Sequence, residues 1–250
     1  MLLLRPPGVY RPQSDTRLLA AALSRAGIPR GARMLELGTG TGAVAMTAAR
    51  GGCRVVAVDV SAQAVLAARL NALVRGLPVR VLRGDLFAPV AGEEFDVIVA
   101  NPPYVAGAAD PATVRGRARA WEAGPDGRDL LDRICAEAPG HLTPGGTLLM
   151  VHSALNGVAS TLVSLREAGM RARVVARRRE PLGPVMRARA AELRARGLLR
   201  PGQAHEDLVV VRADRVGDAA GAGNPQPVGG AAGVAEAGAG GGEGRGRQAA

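Results

Sequence analysis

The chain has 250 residues, 47% hydrophobic and 22% charged, enough for one sizeable buried core. Its formal net charge is +10, and all 32 basic residues are arginine; with abundant alanine and glycine, that bias points to a GC-rich genome rather than to a function. Two cysteines, Cys53 and Cys135, and three histidines, His141, His152 and His205, exclude a disulfide framework and show no metal-ligand spacing. No run approaches a membrane span and the start is too short for a signal peptide, so a cytoplasmic protein is expected.

Residues 14–27 read as a helix capped at Ser14 or Asp15, with Leu18, Leu19, Ala22 and Leu23 on one face. A strand over 33–37 follows and leads from Glu36 into Gly38-Thr39-Gly40-Thr41-Gly42 and a helical run over 43–50. The spacing is G-x-G-x-G, not the G-x-G-x-x-G of dinucleotide sites. Glycines there permit a tight turn and let a ligand lie against the backbone. A second strand, 54–59, ends in Asp59, where an acid can accept from both hydroxyls of a ribose. Ser61 caps a helix over 62–75, which Gly76 and Pro78 end. Strand 79–82 leads into Gly84-Asp85-Leu86-Phe87. Asp85 is placed to accept from an adenine amino group, and Leu86 and Phe87 offer apolar surface to the ring, although core packing is the default for Phe87 as for Phe95.

The apolar run 95–100 reads as a buried parallel strand, and Asn101-Pro102-Pro103-Tyr104 follows it directly. In open α/β sheets ligands bind at that edge. Two prolines stiffen the loop and donate no N–H, leaving the Asn side-chain oxygen and the Asn and Pro carbonyls as acceptors. Such a site suits a planar –NH2 group, which brings two donors. The glycine loop alone fits a nicotinamide enzyme nearly as well; four strand ends carrying E-x-G-x-G-x-G, Asp, Asp-Leu and N-P-P-Y are a far stronger signal.

A long connection, 105–126, precedes a helix over 128–138; connections of that length are usually functional or disordered. Pro144-Gly145-Gly146 turns into strand 147–151, a helix covers 156–168, and a strand runs over 171–177. Residues 180–205 read as an insertion containing a basic amphipathic helix over 185–196, and 207–212 closes the sheet. Alternating strands and helices predict a parallel sheet with helices on both faces. The last two strands lack a crossover helix between them, so the final strand is expected to be antiparallel. From 216 to 250 the chain is Gly/Ala-rich without apolar periodicity and reads as a disordered tail outside a domain over 1–215.

These motifs together resemble the class I S-adenosylmethionine-dependent methyltransferases, and more narrowly the HemK-type release-factor glutamine methyltransferases. Two segments point to the short branch known from eukaryotes and archaea. Residues 9–19 resemble its V-Y-x-P-x-x-D-T-x-L-L opening. Residues 120–128 resemble its A-W-x-G-G-x-x-G-R segment, with Ala123 in place of the first glycine of the pair. The resemblance covers roughly residues 8–213 and implies a Rossmann-like, seven-stranded sheet with its last strand reversed. It implies S-adenosylmethionine as cofactor, with Gly38, Gly40 and Gly42 along the methionine and ribose path and Glu36 closing the loop from below. Asp59 would hold the ribose, Asp85 with Leu86 the adenine, and Thr16 would cover the methionine end; Asn101 also belongs to this lining. Asn101, Pro102, Pro103 and Tyr104 would form the catalytic motif, and Tyr104 and Trp121 the substrate pocket. Arg128 and Asp132 are assigned to helix pairing.

The acceptor expected from the resemblance is a glutamine side-chain amide in a protein such as a translation release factor. The alternative is an adenine N6 or guanine N2 in RNA or DNA, because N-P-P-Y also occurs in adenine-N6 methyltransferases. Residues 166–200 hold eleven arginines against three glutamates, a stretch that could face nucleic acid or be a solvated face. A non-catalytic cofactor-binding or partner subunit is a third reading. The short branch also implies a small zinc-binding activator subunit as a partner, unless the 180–205 insertion takes that role. No membrane partner is expected.

Overall fold

A computed structural model of the chain describes residues 3–107 and 123–217. Trp121, and all but the first two residues of the expected tail, lie outside them. The chain divides after Asp218 into two compact units, and every element named here belongs to the first.

The elements run α1 (Ser14–Arg25), β1 (Arg33–Leu37), α2 (Ala43–Arg50), β2 (Arg54–Asp59), α3 (Ala62–Leu73), β3 (Val79–Arg83) and β4 (Phe95–Ala100). After the undescribed residues come α4 (Asp129–Glu137), β5 (Leu142–Ser153), α5 (Val158–Glu167), β6 (Met170–Pro181), α6 (Pro184–Ala188), α7 (Ala190–Ala195) and β7 (His205–Arg215). The sheet has seven strands in the order β3-β2-β1-β4-β5-β7-β6. β1 pairs in parallel with β2 and β4, and β7 is antiparallel to both β5 and β6. Strand order reverses between β1 and β4, the switch point beside which open α/β sheets bind ligands.

Two layers of side chains hold the helices to the sheet, because successive strand residues point to opposite faces. Met34, Val55, Val97, Leu149 and Val210 meet Leu19 of α1, Val44 of α2 and Val65 of α3. Their strand neighbours Leu35, Val56, Ile98, Leu148 and Val211 meet Leu131 and Ile134 of α4 and Leu165 of α5. Ser61 caps α3 as expected, accepting from the Ala64 N–H at 3.4 Å. α1 differs: Gln13 is its N-cap and makes no side-chain cap, while Asp15 is buried and turned elsewhere. The Pro144-Gly145-Gly146 turn becomes a bulge in the β4–β5 ladder, since Phe95 pairs with Leu142 but Val97 with Thr147.

The insertion is shorter than the sequence suggests, because β6 continues to Pro181 and β7 begins at His205. It holds two short helices, α6 and α7, in place of a single helix over 185–196. Their apolar side is docked: Leu182, Met186, Ala190, Leu193 and Leu199 bury against Val105 and Ala106, just past the Asn-Pro-Pro-Tyr. The basic stretch is also not one surface. Arg173 pairs with Asp214 and Arg177 with Asp207, acids an odd number of positions apart on β7 and therefore on opposite faces. A bulge between Val174 and Ala176 reverses the alternation along β6.

Leu193 is 1% exposed. Leu193→Ala is expected to loosen the insertion by about 2–4 kcal/mol. Hydrogen exchange should then quicken over 182–204 and at Val105 and Ala106, with β1 and β4 still protected; uniform loss of protection would show that the insertion is no separate unit.

Candidate active site

The parallel register of β1 with β4 sets Leu37 beside Ala100, so the glycine loop and the Asn-Pro-Pro-Tyr leave the sheet side by side. Gly38 has φ +68°, and a Cβ there would lie 3.6 Å from the Asn101 carbonyl oxygen. Gly40 and Gly42 are also left-handed, and a Cβ at Gly42 would press on the Ala68 side chain at 3.3 Å. The first two glycines shape the loop, and the third lets α2 sit close to α3.

Two carboxylates brace this loop. Glu36, 4% exposed, accepts from the Thr39 hydroxyl at 2.6 Å and the Ala45 N–H at 2.9 Å. Burial pushes its pKa up to about 8; the two hydrogen bonds oppose the rise and nearby Asp59 adds to it. Asp59 accepts from the Gly40 N–H at 2.8 Å and the Ser61 N–H at 2.9 Å, and burial raises its pKa as well. Between them Thr41 is 2% exposed, and its hydroxyl has no partner among the described residues.

Glu36, Gly38, Thr39, Gly40, Thr41, Asp59 and Ser61 line one cleft of about 1130 Å³, whereas Gly42 does not. Thr16, Asp85, Leu86 and Asn101–Tyr104 line it too, together with residues 7–15. Leu86 has φ +42°, the one positive value outside glycine among the described residues, and such strain collects at functional sites. Asp85 also pairs with Arg133 at 2.9 Å. Phe87 does not face the cleft: it is buried and stacked on His141 with ring centroids 4.6 Å apart. The apolar surface at this end is therefore Leu86 alone of the two expected residues.

At the other end Asn101 donates through Nδ2 to the Thr16 hydroxyl at 3.4 Å, a long bond that leaves Oδ1 to the cleft. No described donor bonds the Pro102 carbonyl. Tyr104 donates to Asp15 at 3.3 Å, and Tyr10 donates to the same Asp15 oxygen at 2.7 Å. Burial, then the Asp15 charge, pushes both phenols above their usual range, so both stay protonated donors. Glu206 and Glu180, directly opposed on β7 and β6, line the same wall. Burial raises the Glu206 pKa, a hydrogen bond from Ser153 opposes this, and Asp15 and Glu180 add to it.

The comparisons with known proteins agree on one family. The model of the methyltransferase small domain matches residues 3–118. A putative protein N5-glutamine methyltransferase of Methanocaldococcus jannaschii is 34% identical over 181 residues, 72% of this chain and 90% of that protein. The chain belongs to the HemK-type protein-glutamine methyltransferases. The release factor glutamine methyltransferase of Xylella fastidiosa is 40% identical over 168 residues, 64% of this chain and 60% of that protein. The chain thus spans about three fifths of that bacterial relative. A chain from the E. cuniculi Mtq2–Trm112 complex, responsible for methylation of the termination factor eRF1, has a TM-score of 0.59 at 25% identity. It covers 83% of this chain and 99% of its own.

A HemK-type enzyme takes S-adenosylmethionine, and the cleft fits that group. A backbone cradle without side chains at Gly38 and Gly40, the unpartnered Thr41 hydroxyl and two buried carboxyls suit a polar, cationic ligand. The motif search missed Asp15, Thr41, Asn156 and Glu206. Asp15 was readable as part of the V-Y-x-P-x-x-D-T opening but was assigned to a helix cap; Glu206 carries no local signal. Gly127, the last glycine of the second family segment, has φ +76°, and a Cβ there would collide with the Tyr104 carbonyl and the Asn156 amide. Arg128 pairs with Asp132 and bonds Thr161 of α5 at 3.2 Å, the helix pairing expected of it.

The raised pKa of Glu36 has a sign that unfolding can test. Folded Glu36 keeps its proton to about pH 8, whereas an unfolded glutamate releases it near 4.3. Between those values the folded state binds more protons, so its stability falls as pH rises, by at most about 1.4 kcal/mol per unit. Urea unfolding from pH 5 to 8 should show wild type losing stability relative to Glu36→Gln; a pH-independent gap would mean Glu36 is ionised throughout.

Proposed function

We propose that this protein transfers the methyl group of S-adenosylmethionine to the side-chain amide nitrogen of a glutamine in a translation release factor. The observation that carries this reading is the pair of free acceptors, Asn101 Oδ1 and the Pro102 carbonyl, beside the Gly38 backbone. S-Adenosylmethionine, when bound, supplies an electrophilic methyl on a sulfonium. An amide nitrogen is a poor nucleophile because its lone pair is delocalised into the carbonyl. Two fixed acceptors aimed at its two N–H bonds favour a pyramidal nitrogen and stabilise the positive charge that develops on it. Thr16 orients Asn101, and Pro103 stiffens the turn. Tyr104, held by Asp15, presents its ring to the planar amide. No strong general base is needed, since the product sheds its proton after transfer.

In this reading Gly38 and Gly40 with Glu36 form the methionine and ribose path, Gly42 serves it only by letting α2 pack close to α3, and Thr16 closes its methionine end. Asp59 takes the ribose, and Asp85 with Leu86 the adenine; Asp85 reaches it while still paired with Arg133. Trp121, outside the described residues, remains proposed as part of the substrate pocket.

Charge around Tyr104 supports a protein acceptor over nucleic acid. Asp15, Glu180 and Glu206 line that end of the cleft, where a phosphate backbone would meet repulsion. The arginines of the insertion support backbone instead: Arg187 donates to Leu182 O at 3.0 Å, Arg189 to Ala106 O at 3.3 Å, and Arg196 to Pro125 O. Labelled S-adenosylmethionine, offered with purified release factors and total RNA in parallel, tests both readings. Label is expected on a release-factor glutamine, falling about a hundredfold in Asn101→Ala while cofactor affinity changes far less. Label in RNA with unmodified release factors would overturn the proposal.

We also infer an activator subunit of the Trm112 type. Leu66, Leu70, Leu73 and Val74 form an exposed apolar stripe on and just past α3, next to β3 at the open edge of the sheet. Wild type should co-purify with such a subunit, and Leu66→Glu with Leu73→Glu should release it without unfolding the chain. Full activity of the isolated wild-type chain would count against the partner. Among the described residues no helix is long and apolar enough to cross a membrane; action in the cytoplasm is part of this proposal.

A further inference from the structure

We propose that Asn156 is a positioning residue for methyl transfer, and that its side-chain oxygen shares one ordered water with Glu206. The first half rests on the reading that Tyr104 meets the acceptor amide. Asn156 is 5% exposed, sits in the 3-10 turn that ends β5, and does not line the large cleft. Its Nδ2 donates to the Tyr104 carbonyl at 2.7 Å, to Asp126 O at 3.1 Å and to Gly127 O at 3.3 Å. One amide thus joins the exit of the Asn-Pro-Pro-Tyr to the loop that follows the undescribed residues. Tyr104 is held at both ends, its hydroxyl by Asp15 and its carbonyl by Asn156.

The other half of the side chain is unsatisfied. Asn156 Oδ1 has no partner among the described residues, and neither has Glu206 Oε2. Both residues line one small cavity of about 20 Å³, walled also by Tyr104, Ser153, Met186 and Leu193. Two unpartnered oxygens on residues that line one cavity suit a molecule with two donors, and a single water needs only about 10–15 Å³ and two to four polar partners. A larger ligand has no room. That water ties β7 to the end of β5, and through Asn156 to Tyr104, under the docked face of the insertion.

Three measurements on the full chain test this. A crystal structure should show water within hydrogen-bond distance of both oxygens; a direct Asn156–Glu206 contact, or an empty cavity, would overturn the water site. Asn156→Asp keeps the shape but loses the donors. It should lower kcat on a release factor about tenfold or more, as loss of a positioning contact does, with S-adenosylmethionine affinity by calorimetry nearly unchanged. Asn156→Gln, which keeps the amide, should recover part of the loss. Wild-type kcat in Asn156→Asp, or cofactor affinity and thermal stability falling in step with kcat, would reduce Asn156 to a packing role. Amide exchange at Val105 and Ala106 reports on the clamp without any acceptor. Quickened exchange in Asn156→Asp, with no release-factor methylation even by wild type, would preserve the clamp and reject the substrate.

Discussion

The parallel pairing of β1 with β4 is the constraint on which the site depends. It fixes Leu37 opposite Ala100, so the next residue on each strand, Gly38 and Asn101, must emerge together. Glycine suits that point because its φ of +68° is one that L side chains rarely adopt; a Cβ there would sit in ordinary contact with the Asn101 carbonyl oxygen. A one-residue slip of either strand would turn every buried side chain to the wrong face. The two apolar layers that pin α1–α3 and α4–α5 to the sheet therefore also set the spacing between the glycine loop and the Asn-Pro-Pro-Tyr.

A second level of organisation lies beyond the strands. Among the described residues no helix follows the Asn-Pro-Pro-Tyr directly, and the chain supplies support from distant segments. Asp15 holds the Tyr104 hydroxyl, Asn156 holds its carbonyl, and the insertion buries Val105 and Ala106 from below. The prolines limit what the loop can do by itself, but they do not say where it goes. That direction comes from contacts between residues far apart in sequence, and Gly127 is required where two of these segments cross.

This division explains what could be read from the sequence. Strand ends carrying Glu36, Gly38, Asp59, Asp85 and Asn101 were legible, because each follows an apolar run that announces a strand and a face. The reversed last strand was legible from a missing crossover helix. Asp15 was misjudged because a helix start offers an acid two uses, a cap or a contact made elsewhere, and only tertiary structure decides between them. Phe87, next to Leu86, offered apolar surface to the ligand or to the core, with the core as the default, and its stack on His141 bears out the default. The arginines of 166–200 left open a nucleic-acid surface or, as the favoured reading, a solvated face; strand alternation and the bulge at Val175 scatter them, and several serve backbone carbonyls. Charge counting along a chain cannot see a change of face.

The cleft is costly to maintain without its ligand. Glu36 and Asp59 are buried near each other, Glu180 and Glu206 stand opposed across two strands, and Asp15 adds a further acid within the same wall. Burial makes Glu36, Asp59 and Glu206 harder to ionise, and like charges across a ladder oppose pairing. Nearby cations would relieve that cost. In the proposed reading S-adenosylmethionine would bring a sulfonium and an ammonium into the cleft beside Glu36, with Asp59 on the ribose, and a nitrogen accepting a methyl group would become positive near Asp15 and Glu206. An acidic cleft that favours positive charge at both ends binds its donor more readily than the neutral sulfide left after transfer. It also stabilises the charged stage of the reaction more than the neutral amide that enters it. In the proposed reading the same acids, costly to bury together, both hold the cofactor and favour its release once the methyl has gone.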